Sequence, residues 1–377
     1  MKIFHTADWH LGRMLYGRSL LEEQAYFLRR TLLPRMEEEK PDLVIVAGDI
    51  YDRQIAPVEA ITLFDHFLAE AAAIGVPVAV IAGNHDGAER MALGKDLLRR
   101  SGVYIATCLE DAAKPLLLEK DGERVQVFLL PYLDGSAVRD YFGDDSLRGE
   151  SACMHRAVEM LRESFEENTT KILVSHCFVA GSQTSDSESG LWVGGGAAVS
   201  ADLWADFDYV ALGHLHRAQQ AGPNGRYAGS PLKYSVDEQH HKKSFTVLEI
   251  RGGKLEARLE PVVPLHDVRR ISGLFAQLTE QGEESPCADY VEIELLDPNP
   301  VLLAAERLRA FYPNLLAVTN RWVAENALSA PRDERRNRDS RTIFQSFLSD
   351  ICQIEPSDDD RVWFDSLWKT LGTEEDI

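Results

Sequence analysis

Residues 82–86 read Ala-Gly-Asn-His-Asp and follow an apolar run, Val76-Pro77-Val78-Ala79-Val80-Ile81. Gly, Asn and Asp also make ordinary turns and caps. An amide and an imidazole side by side where a buried strand ends nevertheless pose a chemical question, and the rest of the chain answers it by repetition. Asp8-Trp9-His10 ends the first apolar stretch, and Gly48-Asp49-Ile50-Tyr51-Asp52-Arg53 ends the second. Gly83-Asn84-His85-Asp86 ends the third, Ser175-His176 a later one, and Gly213-His214-Leu215-His216 the last. A lone histidine is most often a satisfied core residue. Five strand ends that all deliver Asp, Asn or His are not explained that way, and in α/β proteins the site lies at the carboxyl edge of the strands.

The residue types agree with one chemistry. D-x-H and H-x-H put two ligands on one side of an extended segment, about 7 Å apart along the backbone. Two Asp, one Asn and four His make a mixed oxygen and nitrogen set without thiolates. Such a set points to manganese, iron or zinc rather than calcium, and the histidines argue against magnesium. Asp8, His10, Asp49, Asn84, His176, His214 and His216 are too many for one ion with an open position. They suit two ions roughly 3.5–4 Å apart, bridged by a carboxylate, and Asp49 is the candidate bridge. Two carboxylates against two divalent ions leave a net positive spot where a phosphodiester is held. His85, beside a metal-bound Asn84, belongs on the substrate side, to protonate a leaving oxygen or steady a phosphate. Asp52 is placed to hold the His85 ring.

These residues need a scaffold of strands and helices, and the first half of the chain alternates the two. Strand patterns fall at Ile3–Thr6, Asp42–Ala47, Val76–Ala82, Val103–Ala106, Val125–Leu130, Lys171–Ser175 and Tyr209–Gly213. Helical patterns fall at Leu20–Glu38, Pro57–Ala73, Ala88–Arg100 and Ala152–Glu166. Continuous apolar strands separated by helices imply a sheet covered on both faces. Hairpins follow at Tyr227–Ala228, Ser244–Ile250 and Lys254–Leu259, the last two around Gly252-Gly253. A smaller α+β unit reads as helix Gly273–Gln281, strand Asp289–Leu295, helix Pro300–Phe311 and strand Leu315–Val323. A charged linker over 329–341 then leads to two amphipathic helices, Thr342–Ile351 and Asp358–Leu371. Those helices need a surface to bury against, either this chain's own or a partner's by the helix-in-groove mode.

The set Asp8-Trp9-His10, Gly48-Asp49-x-x-Asp52, Gly83-Asn84-His85-Asp86, His176, Gly213-His214-x-His216 resembles that of the calcineurin-like metallophosphoesterases. "FHTADWHLGR", "VIVAGDIYDR" and the overall layout are similar to the bacterial nucleases of that family that process double-strand breaks. The resemblance implies an α/β fold, a layered β-sandwich flanked by helices, with a small α+β capping domain and C-terminal helices. It implies a nuclease domain over 1–265, a cap over 266–328, the linker over 329–341 and an ATPase-docking tail over 342–377. One metal would be held by Asp8, His10, Asp49 and His216, and the other by Asp49, Asn84, His176 and His214, with manganese the expected ion. His85 would be the catalytic histidine. The implied activities are 3′→5′ exonuclease on double-stranded DNA and endonuclease on single strands and hairpins. The implied partner is an ABC-type ATPase with a long coiled coil, in a two-plus-two assembly. Archaeal relatives carry a His where this chain has Asp52, which instead matches the metallophosphatase pattern.

The bulk composition fits this reading. The chain has 377 residues, 45% hydrophobic and 27% charged, which suggests two or three domains with ample core. No stretch approaches the roughly 18 apolar residues of a membrane span, and Lys2 arrives before any signal-peptide core forms. The five widely spaced cysteines suggest free thiols in a reducing cytoplasm. A net charge of −21 argues against a free-standing nucleic-acid binder. Metals in the site and a basic partner would supply what the chain lacks. The Leu191–Gly196 stretch lacks the Lys-Ser/Thr of a phosphate-binding loop and reads as a flexible loop near the site. His240-His241-Lys242-Lys243 reads as a solvated turn, with contact to DNA phosphate as the alternative. Arg13 and Arg53 either hold phosphate or pair with an acid, and Trp9 and Tyr16 are expected to pack. Two other functions compete. One is a phosphatase or cyclic-nucleotide phosphodiesterase on small substrates, disfavoured by the cap and tail. The other is a non-catalytic scaffold, disfavoured by the intact ligand set.

Overall fold

In a computed structural model, residues 1–191, 198–321, 340–351 and 355–371 are described. Most of the Leu191–Gly196 loop and nearly all of the 329–341 linker lie outside them. The chain divides into two compact units, Met1–Val268 and Arg269–Ile377.

The first unit is built on two six-stranded sheets. In spatial order, the first runs Lys254–Pro261, Ser244–Arg251, Lys2–Thr6, Leu43–Ala47, Val78–Ile81 and Val103–Ala106. The second runs Gln219–Ala221, Gly225–Tyr227, Tyr209–Gly213, Thr170–His176, Glu123–Leu130 and Leu116–Lys120. The four strands within residues 2–106 are parallel, with Phe4 beside Val44 and Val44 beside Val78. Tyr209–Gly213 and Thr170–His176 are likewise parallel, Gly213 opposite His176.

Period-two alternation explains the layers. Ile3, Leu43, Ile45, Ala47, Ala79 and Ile81 join Val125, Val127, Ile172, Val174 and Ala211 in one buried cluster. Phe4, Val44, Val46, Val78 and Val80 point the other way, onto the helices Leu21–Glu39 and Val58–Ile74. On the second sheet, Phe128, Leu130, Leu173, Val210 and Leu212 meet the helix Gly149–Arg162. The expected cover on both faces therefore exists, but each sheet has helices on one face and its sister sheet on the other. The architecture is the layered α/β sandwich flanked by helices.

Several local expectations are corrected. The single helix over Ala88–Arg100 is three short pieces, Ala88–Met91, Lys95–Leu98 and Arg99–Ser101, because Gly94 takes φ +74 and breaks the run. Leu21–Glu39 contains a π-helical stretch, Phe27–Leu32. Three edge strands escaped the sequence pattern: Leu116–Lys120, Gln219–Ala221 and Val268–Gly273. Leu116–Lys120 is mostly exposed, Gln219–Ala221 is three residues long, and Val268–Gly273 carries two adjacent exposed arginines, so none shows a clean alternation in hydrophobicity. The Gly252-Gly253 turn stands as expected, with φ 59 and 71.

The second unit carries a three-stranded sheet of Val268–Gly273, Tyr290–Leu295 and Leu315–Asn320. Helices Phe275–Glu284 and Ala304–Leu308 bury Phe275, Leu278 and Leu308 against Val291, Ile293 and Leu295. Farther on, Ser340–Ser346 and Asp358–Leu371 meet through Phe344 stacked on Phe364, centroids 4.5 Å apart, and an Arg341–Asp365 ion pair. Phe347, Val362, Trp363, Leu367 and Trp368 remain 45–69% exposed.

Candidate metal centre

Every residue of the predicted ligand set lies at or just past the carboxyl end of a central strand. Asp8 and His10 follow Lys2–Thr6, Asp49 follows Leu43–Ala47, and Asn84 follows Val78–Ile81. His176 ends Thr170–His176, and His214 and His216 follow Tyr209–Gly213. Two sheets therefore contribute, three strands from one and two from the other.

The ligand segments are not extended, contrary to the D-x-H and H-x-H reading. Asp8 (φ 53), His10 (φ 44), Asp49 (φ 50) and His214 (φ 104) are all left-handed. Left-handed backbone at a non-glycine residue costs roughly 1–2 kcal/mol, and it persists where surrounding contacts over-determine it. Here they do: Asp8 N–H donates to Gly48 O (3.1 Å) and His10 N–H to Asp49 O (2.9 Å). The kinks turn these segments out of the extended conformation where the two sheets meet. Glycines make room. A Cβ on Gly48 would lie 2.2 Å from His176 Nδ1, and one on Gly83 2.2 Å from Asp49 Oδ1.

Asp86 fastens these loops together, a role the sequence reading missed because the residue looked like a turn former. Its Oδ2 accepts from Ile50 N (3.1 Å) and Gly83 N (2.8 Å), and its Oδ1 from Tyr51 N (2.9 Å). Burial, and then the Asp49 charge, push its pKa up to about 6. In Asp86→Asn one acceptor becomes an NH2 facing a backbone N–H. We expect a loss of about 2–3 kcal/mol in stability, measured by urea unfolding.

The ligand atoms converge in two pairs. His10 Nε2 lies 3.1 Å from His216 Nε2, and His176 Nε2 lies 3.3 Å from His214 Nδ1. Asn84 Oδ1 sits 2.9 Å from His176 Nε2 and 3.1 Å from His214 Nδ1. Asp49 Oδ2 lies between the pairs, 3.3 Å from His176 Nε2 and 3.6 Å from His10 Nε2. The set fits cations on its donor chemistry. His176 Nδ1 is 2.9 Å from the Ala47 carbonyl, which only accepts, so the proton sits on Nδ1. Neutral, the ring therefore turns a bare Nε2 toward Asn84 Oδ1 and Asp49 Oδ2, which are acceptors too. Asp8 Oδ2 is buried without a hydrogen-bond partner, while its Oδ1 accepts from His214 N at 2.7 Å. Converging lone pairs of this kind require positive charge among them.

Burial and neighbouring charges pull the acids and bases of the pocket in opposite directions. Burial opposes protonation of His176, yet Asp49 raises its pKa to about 9. Burial likewise opposes ionisation of Asp49, but His176 and His10 hold it well below the carboxylate range. Asp8 is raised well above that range by burial. Burial lowers His10, and lowers His214 to about 3.

His85 stands at the partly exposed side. Its N–H donates to Asp49 Oδ1 (2.9 Å), and its ring lies edge-on to His10, centroids 4.8 Å apart. Its Nδ1 is 2.9 Å from the backbone carbonyl of Asp52. The expectation that the Asp52 carboxylate holds this ring is therefore corrected: the main chain does so. The carboxylate pairs with Arg13 (2.8 Å), with Arg53 at 3.8 Å and His10 Nδ1 at 3.9 Å. Trp9 packs edge-on against Phe27, Phe64 and Phe67, whereas Tyr16 is 56% exposed.

The His240–Lys243 run is not simply a solvated turn. Lys243 is 8% exposed, and its Nζ donates to His216 O (2.8 Å), Ser230 Oγ (2.8 Å) and Glu238 Oε2. A fully buried Glu238 carboxylate draws the lysine inward. Glu188, Ser187 and Tyr234 also surround His216. None of these belongs to a motif, so nothing in the sequence marks them.

The family described as calcineurin-like phosphoesterase matches residues 1–218. The family described as type 5 capsule protein repressor C-terminal domain matches residues 264–351. SbcD, the D component of the SbcCD nuclease, from Staphylococcus epidermidis is 33% identical over 355 residues, covering 93% of each chain. The crystal structure of TT1561 of Thermus thermophilus aligns over 68% of this chain and 98% of its own, at 13% identity and a TM-score of 0.39.

Proposed function

Because the chain belongs to the calcineurin-like phosphoesterases, and among them to the SbcD family of the SbcCD nuclease, we propose that it is a two-metal DNA nuclease. It is a phosphodiester hydrolase. The finer reading is a manganese enzyme acting as 3′→5′ exonuclease on double-stranded DNA and as endonuclease on single strands and hairpins. The observation that carries it is the partly exposed His85 beside two converging ligand pairs that share Asp49.

In this mechanism Asp8, His10, Asp49 and His216 hold one ion, and Asp49, Asn84, His176 and His214 the other. When bound, the ions polarise the phosphate and lower the pKa of a nucleophilic water. His85 is fixed by two main-chain links, its N–H on Asp49 and its Nδ1–H on the Asp52 carbonyl. That leaves Nε2 as the ring atom for proton transfer to the leaving oxygen. Arg13 pairs with the Asp52 carboxylate, which lies within 4.8 Å of the His85 ring.

The proposed partner is an SbcC-type ABC ATPase with a coiled coil, in a heterotetramer with a homodimer of this chain. The exposed Trp363 and Trp368 face of the tail supports docking to that ATPase. Val58 and Ile61, 73% and 47% exposed, and a groove of about 390 Å³ lined by Leu21, Ala25, Val58 and Leu63 support contact with a second copy. The three-stranded unit would cap the site over DNA ends. No helix among the described residues is long and apolar enough to cross a membrane, and we assign the protein to the cytoplasm.

Manganese-dependent cleavage of a hairpin-ended DNA, with bound metal quantified, tests the reading. His85→Gln should hold two ions and lose roughly 10²–10⁴-fold in rate. A wild-type chain that binds metal but cuts no DNA, even with the ATPase, would move the assignment to small phosphodiesters.

A further inference from the structure

We propose that Ser187 and Glu238 form a positioning relay, anchored by Lys243, that fixes the tautomer of His216 and so presents its Nε2 lone pair to the metal centre. This rests on the metal reading above but concerns residues outside the ligand set.

The relay is continuous. His216 Nδ1 is 2.7 Å from Ser187 Oγ, and Ser187 Oγ is 2.6 Å from Glu238 Oε1. Glu238 Oε2 pairs with Lys243 Nζ, and Glu238 has no exposed surface. Counting protons along it leaves one solution. An ammonium only donates, and Lys243 has three acceptors in reach: Glu238 Oε2, Ser230 Oγ and the carbonyl of His216 itself. A carboxylate bound to that ammonium accepts and does not donate. Tyr234 N–H (3.3 Å) donates to the same Oε1 that faces Ser187, while the Ser235 hydroxyl donates to Asp237. The single Ser187 proton therefore points to Glu238, because an oxygen pair at 2.6 Å without a proton would repel. Ser187 Oγ can then only accept from His216, so the His216 proton is on Nδ1 and Nε2 is bare. That Nε2 is the atom 3.1 Å from His10 Nε2.

The ring has no room to escape this assignment. Tyr234 lies edge-on to both His216 and His10, centroids 5.4 and 5.5 Å away. Glu188 Oε1 accepts the His216 main-chain N–H, and Lys243 holds its carbonyl. Ser187 comes from the helical turn Asp186–Leu191, 29 residues before His216 in the chain, so this ligand is oriented by a different loop from the one that carries it.

Glu238→Gln is the sharpest test, because it keeps the shape and reverses the polarity. The Gln amide would turn its oxygen to Lys243 and its NH2 to Ser187. Ser187 would then donate to His216 Nδ1, and the ring proton would move to Nε2, on the metal face. In the full-length, metal-free protein, ¹⁵N imidazole NMR should show His216 protonated at Nδ1 in the wild type and at Nε2 in Glu238→Gln. Calorimetric titration with Mn²⁺ should show one of the two sites weakened about 10–100-fold, the usual effect of a lost supporting residue. If Glu238→Gln does not fold, Ser187→Ala decides by the same titration. A folded Glu238→Gln with the wild-type tautomer and affinity, or a Ser187→Ala with unchanged Mn²⁺ affinity, overturns the relay. A wild type that binds no Mn²⁺ yet shows the expected tautomers overturns the metal reading and leaves the relay standing.

Discussion

Gly213→Ala should be among the most damaging single substitutions in the chain, lowering unfolding stability by roughly 4 kcal/mol or more. Gly213 ends a strand of the second sheet, Tyr209–Gly213, and Ala47 ends a strand of the first, Leu43–Ala47. A Cβ on Gly213 would stand 1.8 Å from the Ala47 carbonyl oxygen and 2.9 Å from His176 Nδ1. Neither neighbour can yield. The carbonyl belongs to a central strand with partners on both sides, and the imidazole is bonded to that carbonyl at 2.9 Å. The two sheets thus touch main chain to main chain where the ligands converge. Gly17→Ala is the control: Gly17 has φ +77 but nothing within 4 Å of its Cβ. It should lose only the left-handed penalty, about 1 kcal/mol. Urea unfolding of both variants measures the difference. A Gly213→Ala protein no weaker than the Gly17→Ala control would mean the sheets do not approach this closely.

That close approach also shows what could and could not be read from the chain. The candidate ligands stood out in the chain because each follows an apolar strand, and only a few residue types bind metals. Their scaffold was legible wherever strands alternate or run continuously apolar, as at Leu43–Ala47. The stacking of two sheets was not: burial on both faces looks the same in sequence whether the cover is a helix or a second sheet. Edge strands such as Val268–Gly273 carry exposed arginines and gave no periodic signal. The role of Asp52 was misread for a different reason. Its side chain suggested a partner for His85, but the contact is made by its carbonyl, which every residue possesses. Glu238, Ser187 and Lys243 were invisible because their meaning lies in a meeting of segments far apart in sequence. A buried ion pair such as Glu238–Lys243 looks, in sequence, like any two surface charges.

Asp49→Asn should empty the centre of metal. Asp49 Oδ1 accepts the His85 N–H, and Oδ2 lies between His176 Nε2 and His10 Nε2. The Asn carbonyl would keep the His85 bond, because the reverse orientation would set NH2 against N–H. Its NH2 would then occupy the position between the two imidazoles and donate where a cation is expected. We expect the metal-free variant to unfold more easily than the metal-free wild type, since the buried His176 imidazole, whose pKa Asp49 raises to about 9, loses its charged partner. Metal binding should collapse at both sites, by more than the roughly 100-fold that losing a supporting residue costs, because one oxygen serves both ligand pairs. Asp8→Asn offers the contrast. Asp8 Oδ2 is buried without a hydrogen-bond partner, and an Asp8 carboxylate oxygen lies within 4.8 Å of ligand atoms of His10 and Asp49. Its loss should empty one site and leave Asn84, His176 and His214 with Asp49 to hold the other. Metal counted after dialysis should fall from two to about one in Asp8→Asn and to near zero in Asp49→Asn. Two retained ions in Asp49→Asn would show that this carboxylate is not the bridge, and the centre would then have to be two separate sites that happen to be neighbours.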